Sequence, residues 1–188
     1  YVLFASLSIV LYFLLDGQAQ TVFYDFFGFF AVACIFLGIW LHRPAWPLPW
    51  VLIAIGIFVL KIADLTYAHY EWIFGGPRPF PSITEGLLFA GNTIIFLSIF
   101  LVLRSREPHQ DSGNVIDAAI IATTAAALAW IFIMAPYARD ESLSTFQLIA
   151  VLATPIYDLI TIVLLTRLIF GAGVRTPSFY LLLVGMLS

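Results

Sequence analysis

The sequence has very little charge. Only 10% of its 188 residues are Asp, Glu, Lys or Arg, whereas roughly 25% is usual in a soluble domain. A surface that faces water needs charged side chains, so the shortage excludes an ordinary soluble domain. Eight basic residues stand against eleven acidic ones, which gives a net charge of −3. We therefore expect no surface for nucleic acid.

Cysteine and the common catalytic motifs are also scarce. Cys34 is the single cysteine, which excludes an intrachain disulfide, a zinc ribbon and an iron–sulfur cluster on ligand count alone. The sequence contains neither a Gly-x-Ser-x-Gly nor a His-Glu-x-x-His pattern. Asp64, His69 and Glu71 are close in sequence, but their spacing matches no familiar metal site. We expect no catalytic residue, cofactor or metal in this region.

The sequence is rich in long apolar segments. Hydrophobic residues make up 62% of the chain and aromatic residues 16%, and the mean hydropathy is +1.03. A membrane-spanning helix needs about 20 apolar residues. Seven apolar segments are present, at 1–15, 21–42, 48–69, 82–103, 115–136, 144–170 and 177–188. The middle five are long enough, and we expect the first and last to be spans cut by the chain ends. The sequence predicts an all-α, polytopic membrane bundle of seven transmembrane helices, forming one domain over 1–188.

The basic residues predict how the bundle is oriented, because cytoplasmic loops are enriched in Lys and Arg. One set of alternate loops holds five arginines, and the other set holds two. The five are Arg43, Arg104, Arg106, Arg167 and Arg175; the two are Arg78 and Arg139. This count predicts that the five-arginine loops face the cytoplasm. We also expect the N-terminus outside and the C-terminus in the cytoplasm. We expect a trimmed fragment with a cytosolic effector domain after residue 188.

The segment boundaries carry helix signals. Ser82-x-x-Glu85 fits a capping box, and Asn114-x-x-Asp117 resembles one. Thr176-Pro177 combines an N-cap with proline at the first helical position. Residues 16–20 are expected to form a turn, and the prolines in 42–50 are expected to separate the second helix from the third.

Ionisable residues inside apolar segments are costly and are therefore candidates for function. Lys61 and Asp64 share a helical face, which favours either a local ion pair or a partner on another helix. Glu85 and Asp117 could simply be helix-start residues, because the positive end of the helix dipole stabilises a negative side chain. Asp158 follows Pro155 by one turn in mid-segment, where it could bind a ligand or another helix.

On the predicted outer side, polar and aromatic residues cluster around the ends of three segments. Their composition suits either a pocket for a small organic ligand or an ordinary interfacial belt of aromatic residues. The candidate ligand or switch residues are Asp64, Trp72, Ser82, Glu85, Tyr157 and Asp158, with Lys61 as their charge partner.

About two-thirds of the chain, from Asp64 onward, resembles the seven-helix membrane input domains that precede GGDEF and EAL modules or histidine kinases. The resemblance consists of an acid–Trp pair after the third helix, a Pro-Ser-x-x-acid start to the fourth, Asp…Trp…Pro along the fifth and Pro-x-x-Asp in the sixth. The matching residues are Asp64 and Trp72; Pro81, Ser82 and Glu85 (with Glu for the usual Asp); Asp117, Trp130 and Pro136; and Pro155 and Asp158.

The resemblance implies a sensory input module, not an enzyme, in a bacterial inner membrane, with links to cyclic di-GMP signalling. An unknown small ligand or a change in membrane state would act on its outer side, and helix seven would signal to the effector. Membrane lipid is an expected partner, and a homodimer would form through the missing C-terminal domain. The alternatives are a small-solute or proton-coupled transporter and a structural subunit of a membrane complex.

Overall fold

The computed structural model describes residues 2–106, 112–140 and 142–170, and every regular element in these ranges is helical. This confirms the predicted all-helical fold for the described residues. The elements are α1 (Val2–Leu14), α2 (Gln18–His42), α3 (Leu48–Ala68), α4 (Tyr70–Phe74), α5 (Ile83–Arg106), α6 (Ser112–Ala129), a π-helical turn (Trp130–Met134), α7 (Ala135–Ala138) and α8 (Thr145–Phe170). The seventh apolar segment, 177–188, and its predicted cap at Thr176-Pro177 lie outside the described residues.

Five stretches of helix are long and apolar enough to cross a membrane, judged by length and composition. They are Ala19–His42, Leu48–Ala68, Ile83–Arg104, Ala119–Ala138 and Thr145–Arg167, and they correspond to the five middle segments of the prediction. Many large apolar side chains on them are exposed, including Trp40 at 67% and Phe132 at 73%. Apolar exposure on this scale is expected where lipid covers the protein, so the chain is interpreted as membrane-embedded.

Two helix starts differ from the sequence prediction. α2 begins at Gln18, inside the predicted turn at 16–20, and Gly17 directly before it has a positive φ of 59°, which glycine adopts readily. α6 begins at Ser112, so Asn114 lies in its first turn and not at its start. The proline-rich break was predicted correctly, since α3 begins at Leu48 with Pro49 in its first turn.

The short helix α4 was not predicted. His69 leaves the helical conformation and ends α3, and the chain forms one more helical turn from Tyr70 before Gly75 stops it. Gly75 has a φ of 74°, and its N–H donates to the Glu71 carbonyl at 2.9 Å. This left-handed glycine cap is a common helix ending. It places the aromatic residues of α4 directly beyond the end of a predicted span.

The chain divides into two compact units, 1–95 and 96–188. In the first unit, α2 packs along α3, and α1 packs on α2. α3 and the first half of α5 approach closely where two glycines face each other, Gly56 and Gly91. Ile53, Ala54 and Ala63 of α3 are almost completely buried.

In the second unit, α8 packs against α6 and against the π-helical turn that follows it. Leu164 and Leu165 of α8 and Met134 of the π-helical turn are buried. The π-helical turn ends two residues before Pro136, which lacks a backbone N–H and would crowd the carbonyl of residue 132 in a regular α-helix. The irregular turn therefore carries the helix past the proline.

Candidate functional site

Two of the predicted site residues, Lys61 and Asp64, form an ion pair on α3. The Lys61 Nζ lies 2.5 Å from the Asp64 Oδ2, and the two residues are three positions apart in the helix. The Lys61 side chain is only 12% exposed and that of Asp64 is 35% exposed. Of the two arrangements that the sequence left open, the local ion pair is therefore present, and each charge has a partner of opposite sign.

A third residue extends this pair to the neighbouring helix. The hydroxyl of Tyr24, on α2, donates to the Asp64 Oδ2 at 3.2 Å. The Lys61 Nζ also lies 3.8 Å from the centre of the Tyr24 ring, within the range of a cation–π contact. We call Tyr24, Lys61 and Asp64 the α2–α3 polar cluster. It joins the two helices through both the hydroxyl and the ring of one tyrosine.

The cluster depends on a missing side chain on α2. A Cβ at Gly28 would overlap the aliphatic part of Lys61. Gly28 therefore leaves the space that the lysine crosses to reach Tyr24, one helical turn away. The apolar part of Lys61 covers the glycine while its ammonium group contacts the polar partners.

Ser82 and Glu85 form the capping box that their spacing predicts. The Glu85 Oε2 accepts hydrogen bonds from the Ser82 backbone N–H and from its hydroxyl, both at 2.6 Å. The Ser82 hydroxyl oxygen in turn accepts from the Thr84 N–H at 3.2 Å. These bonds satisfy backbone donors that a helix start leaves unpaired. Helix capping is thus one established role of both predicted site residues.

Glu85 has a second role that the sequence did not indicate. Its Oε1 accepts a hydrogen bond from Arg78, which comes from the loop between α4 and α5, and the two side chains form an ion pair. The Arg78 guanidinium lies over the ring of Tyr67, 4.4 Å from its centre. Arg78 is therefore held on one side by the start of α5 and on another by the end of α3.

A cleft of about 370 Å³ lies next to this arginine. It is formed by the end of α3, by α4 and by the following loop; its lining residues are Tyr67, Ala68, His69, Tyr70, Glu71, Trp72 and Arg78. Trp72 lines the cleft but is 87% exposed, so the protein itself covers little of the ring. The cleft brings together an aromatic wall, one cation and one anion, all from the first unit.

The last two predicted site residues belong to the second unit. Asp158 lies in the middle of α8, three residues after Pro155, and its side chain is exposed. Within the described part of the chain it has no hydrogen bond or ion pair. Tyr157 is partly buried and does have a polar or ring contact.

Arg78 and Gly28 were not among the site residues predicted from the sequence. Arg78 was counted only for orientation, although an arginine in a proline-rich loop seven residues before an acid could have suggested a partner. Nothing in the sequence marks Gly28 apart from the other glycines. Among the residues that the structure describes, no group of three or more His, Cys, Asp or Glu side chains is arranged to hold a metal.

Comparisons with known proteins do not identify a family. The chain matches no family model, no curated protein and no solved structure. The resemblance to membrane input domains therefore depends on the sequence motifs alone.

Proposed function

We propose that this chain is the membrane-embedded input module of a signalling protein in a cell inner membrane. Over the five helices that are long enough to span, α2 begins outside and α8 ends in the cytoplasm, because the loops with Arg43 and Arg104 then lie in the cytoplasm. Seven full spans with the same loop sides would place the N-terminus in the cytoplasm and the C-terminus outside, so the proposal does not include the first and last apolar segments as spans. A small ligand, or a change in the state of the membrane, acts on the outer side near the cleft and biases the packing of the helices. α8 and the segment that follows it pass that bias to a cytosolic effector, in the manner of the GGDEF, EAL or histidine-kinase proteins that the motifs resemble.

The main support is the position of the α2–α3 polar cluster. Tyr24, Lys61 and Asp64 join two helices near the end of α3 where Tyr67 and the cleft also lie. A stimulus can shift an equilibrium only if it binds two arrangements differently. A hydrogen bond and a cation–π contact that both need one tyrosine are made or lost together when α2 and α3 move. The cluster therefore supplies a discrete contact for a binding event nearby to favour or disfavour.

The effector half of the proposal is tested first on the native protein. We expect the intact mass of the full-length polypeptide from its own membrane to exceed 20.9 kDa by at least a domain. Protease added from the cytosolic side should release the excess into the soluble fraction, and its peptides would identify the effector. A polypeptide only a few kilodaltons larger would contradict the proposal.

The switch is then tested through the output of that effector in the full-length protein. Asp64→Asn weakens the ion pair with Lys61 and should change basal output severalfold without loss of membrane insertion. Tyr137→Phe removes an exposed hydroxyl in the second unit and serves as the matched control. Unchanged output in properly inserted Asp64→Asn protein would count against the cluster as a switch.

The orientation is tested by single-cysteine labelling. Cys34 is first replaced by Ala, and cysteine is introduced at Gly76 or at Ala45, both of which lie in loops with room for a side chain. A maleimide that cannot cross the membrane should label Gly76→Cys from outside in intact cells and should label Ala45→Cys only after the cells are opened. The reverse pattern would invert the proposed orientation.

A proton-coupled transporter is the second candidate, and Asp158 is the observation that favours it. An exposed acid in the middle of a predicted span, next to a proline, is the kind of residue that proton-coupled transport uses. Asp64 fits that role less well because Lys61 already neutralises it. Solute-dependent flux in proteoliposomes that disappears in Asp158→Asn would favour transport over signalling.

A further inference from the structure

The cleft beside α4 carries two opposite charges on one aromatic surface. Arg78 supplies the cation and Glu71 the anion, and the rings of Tyr67, Tyr70 and Trp72 lie around them. The Glu71 side chain is exposed and has no ion-pair partner among the described residues. A ligand that fits this cleft should therefore carry one negative and one positive group.

Arg78 is arranged to receive the negative group. A guanidinium has five N–H donors, and within the described residues Arg78 uses its Nη1 for Glu85. The guanidinium lies over the Tyr67 ring, and the side chain is 25% exposed and lines the cleft. A fixed guanidinium with unused donors is suited to phosphate, which accepts two parallel N–H bonds.

The depth of the cleft indicates where such a ligand would come from. α3 ends at Ala68 and α5 begins at Ile83, and both are long enough to cross the bilayer. The segment between them must then lie at the level of the lipid headgroups. Trp72 on α4 is 87% exposed, and Trp side chains favour that level because the ring is apolar and its N–H is polar.

We propose that the cleft binds the headgroup of a zwitterionic phospholipid with a primary amine, the phosphoethanolamine class. Its phosphate takes the free N–H groups of Arg78, and its ammonium group lies against Glu71 and the face of a neighbouring aromatic ring. As the stimulus of the proposed input module, this lipid deepens the proposed function and rests on it. Binding at the cleft itself can be measured separately.

The test measures lipid binding to the purified full chain by native mass spectrometry. Phosphatidylethanolamine, phosphatidylcholine and phosphatidylglycerol with identical acyl chains are titrated separately, and soluble phosphoethanolamine is added as a competitor. Arg78→Gln should weaken binding of phosphatidylethanolamine at least tenfold. Arg43→Gln, which changes an arginine at the far end of α2, is the matched control and should leave binding unchanged.

A second variant keeps the test decisive if Arg78→Gln misfolds after Glu85 loses its partner. Glu71→Gln alters an exposed side chain and should weaken phosphatidylethanolamine severalfold while leaving phosphatidylglycerol unaffected. Equal binding of the two lipids to the unmodified protein would overturn the assignment, as would unchanged binding in Glu71→Gln. Soluble phosphoethanolamine that binds as tightly as the lipid would assign the cleft to a free phosphate ester and would also overturn it.

The two proposals fail in different ways. Selective lipid binding with no effect of lipid on effector output would leave the headgroup site intact and contradict the input function. Effector output that responds to a stimulus equally in Glu71→Gln and in the unmodified protein would support the input function and contradict the lipid as its stimulus.

Discussion

The close approach of α3 and α5 can be tested by adding one methyl group. A Cβ at Gly56 would lie 2.5 Å from the Ile95 Cγ1, 3.1 Å from the Gly91 carbonyl oxygen and 3.2 Å from the Ile95 backbone nitrogen. Two of these three atoms are backbone and cannot move by side-chain rotation. Gly56→Ala should therefore push the two helices apart.

The expected loss follows from two opposing terms. An extra methyl in a filled interior costs about 1–3 kcal/mol. Alanine in place of glycine within a helix returns up to about 1 kcal/mol, because less backbone entropy is lost on folding. At Gly56 the first term is larger since the backbone of α5 must move. We expect Gly56→Ala to lower the free energy of unfolding by about 1–2 kcal/mol.

Gly86 provides the matched control on α5. A Cβ there meets no atom within 4 Å, so only the helix term applies, and Gly86→Ala should be neutral or stabilising by up to about 1 kcal/mol. The free energies are compared by reversible unfolding of the three proteins in mixed micelles titrated with a denaturing detergent. The two alanine variants should differ by about 2 kcal/mol, which is more than tenfold in the equilibrium constant. Equal stability of the two would refute the close approach.

Three further changes give expected results in the same preparation. Tyr24→Phe removes the hydroxyl that donates to Asp64 but keeps the ring beside the lysine, so it should cost about 1.5 kcal/mol in the same titration, and no loss would contradict the α2–α3 hydrogen bond. Ser82→Ala should cost about 1 kcal/mol, whereas Ser82→Gly should cost only a few tenths, because glycine tolerates the cap conformation. Hydrogen bonds from Ser142 lower the pKa of the exposed Asp140 below its ordinary 3.8. Their contribution is therefore present above pH 3.8 and lost as pH falls through the lowered value. Amide exchange at Ser142, corrected for intrinsic pH dependence, should rise over that range and not in Asp140→Asn.

The helices were predictable because apolar runs of more than 20 residues have few alternatives. In a bilayer, backbone groups must pair within the segment, so such runs become helices. The exact starts were less predictable. Gly17 begins α2 earlier than the polar turn suggested, and α4 forms from five residues whose composition resembles an interfacial loop. The start of α2 and the end of α4 both lie at a glycine with positive φ, and a hydropathy pattern carries no information about backbone conformation.

The polar contacts were predictable only where both partners share a helix turn. The spacing of Lys61 and Asp64 and that of Ser82 and Glu85 predicted pairs that the structure contains. The partner on another element, Tyr24, depends on how α2 packs on α3. Residue spacing along a single helix carries no information about that packing, and the same reason explains why the space at Gly28 was missed.

Glu85 caps α5 and holds an arginine at the same time. One carboxylate oxygen fixes the start of α5 through Ser82, and the other holds Arg78. An acid that only capped the helix would leave the second oxygen to solvent. Because Glu85 both caps α5 and pairs with Arg78, the arginine beside the cleft is positioned by the beginning of a long apolar helix. A ligand that draws Arg78 toward itself must therefore act on α5 as well, which is the mechanical link that the proposed input function requires.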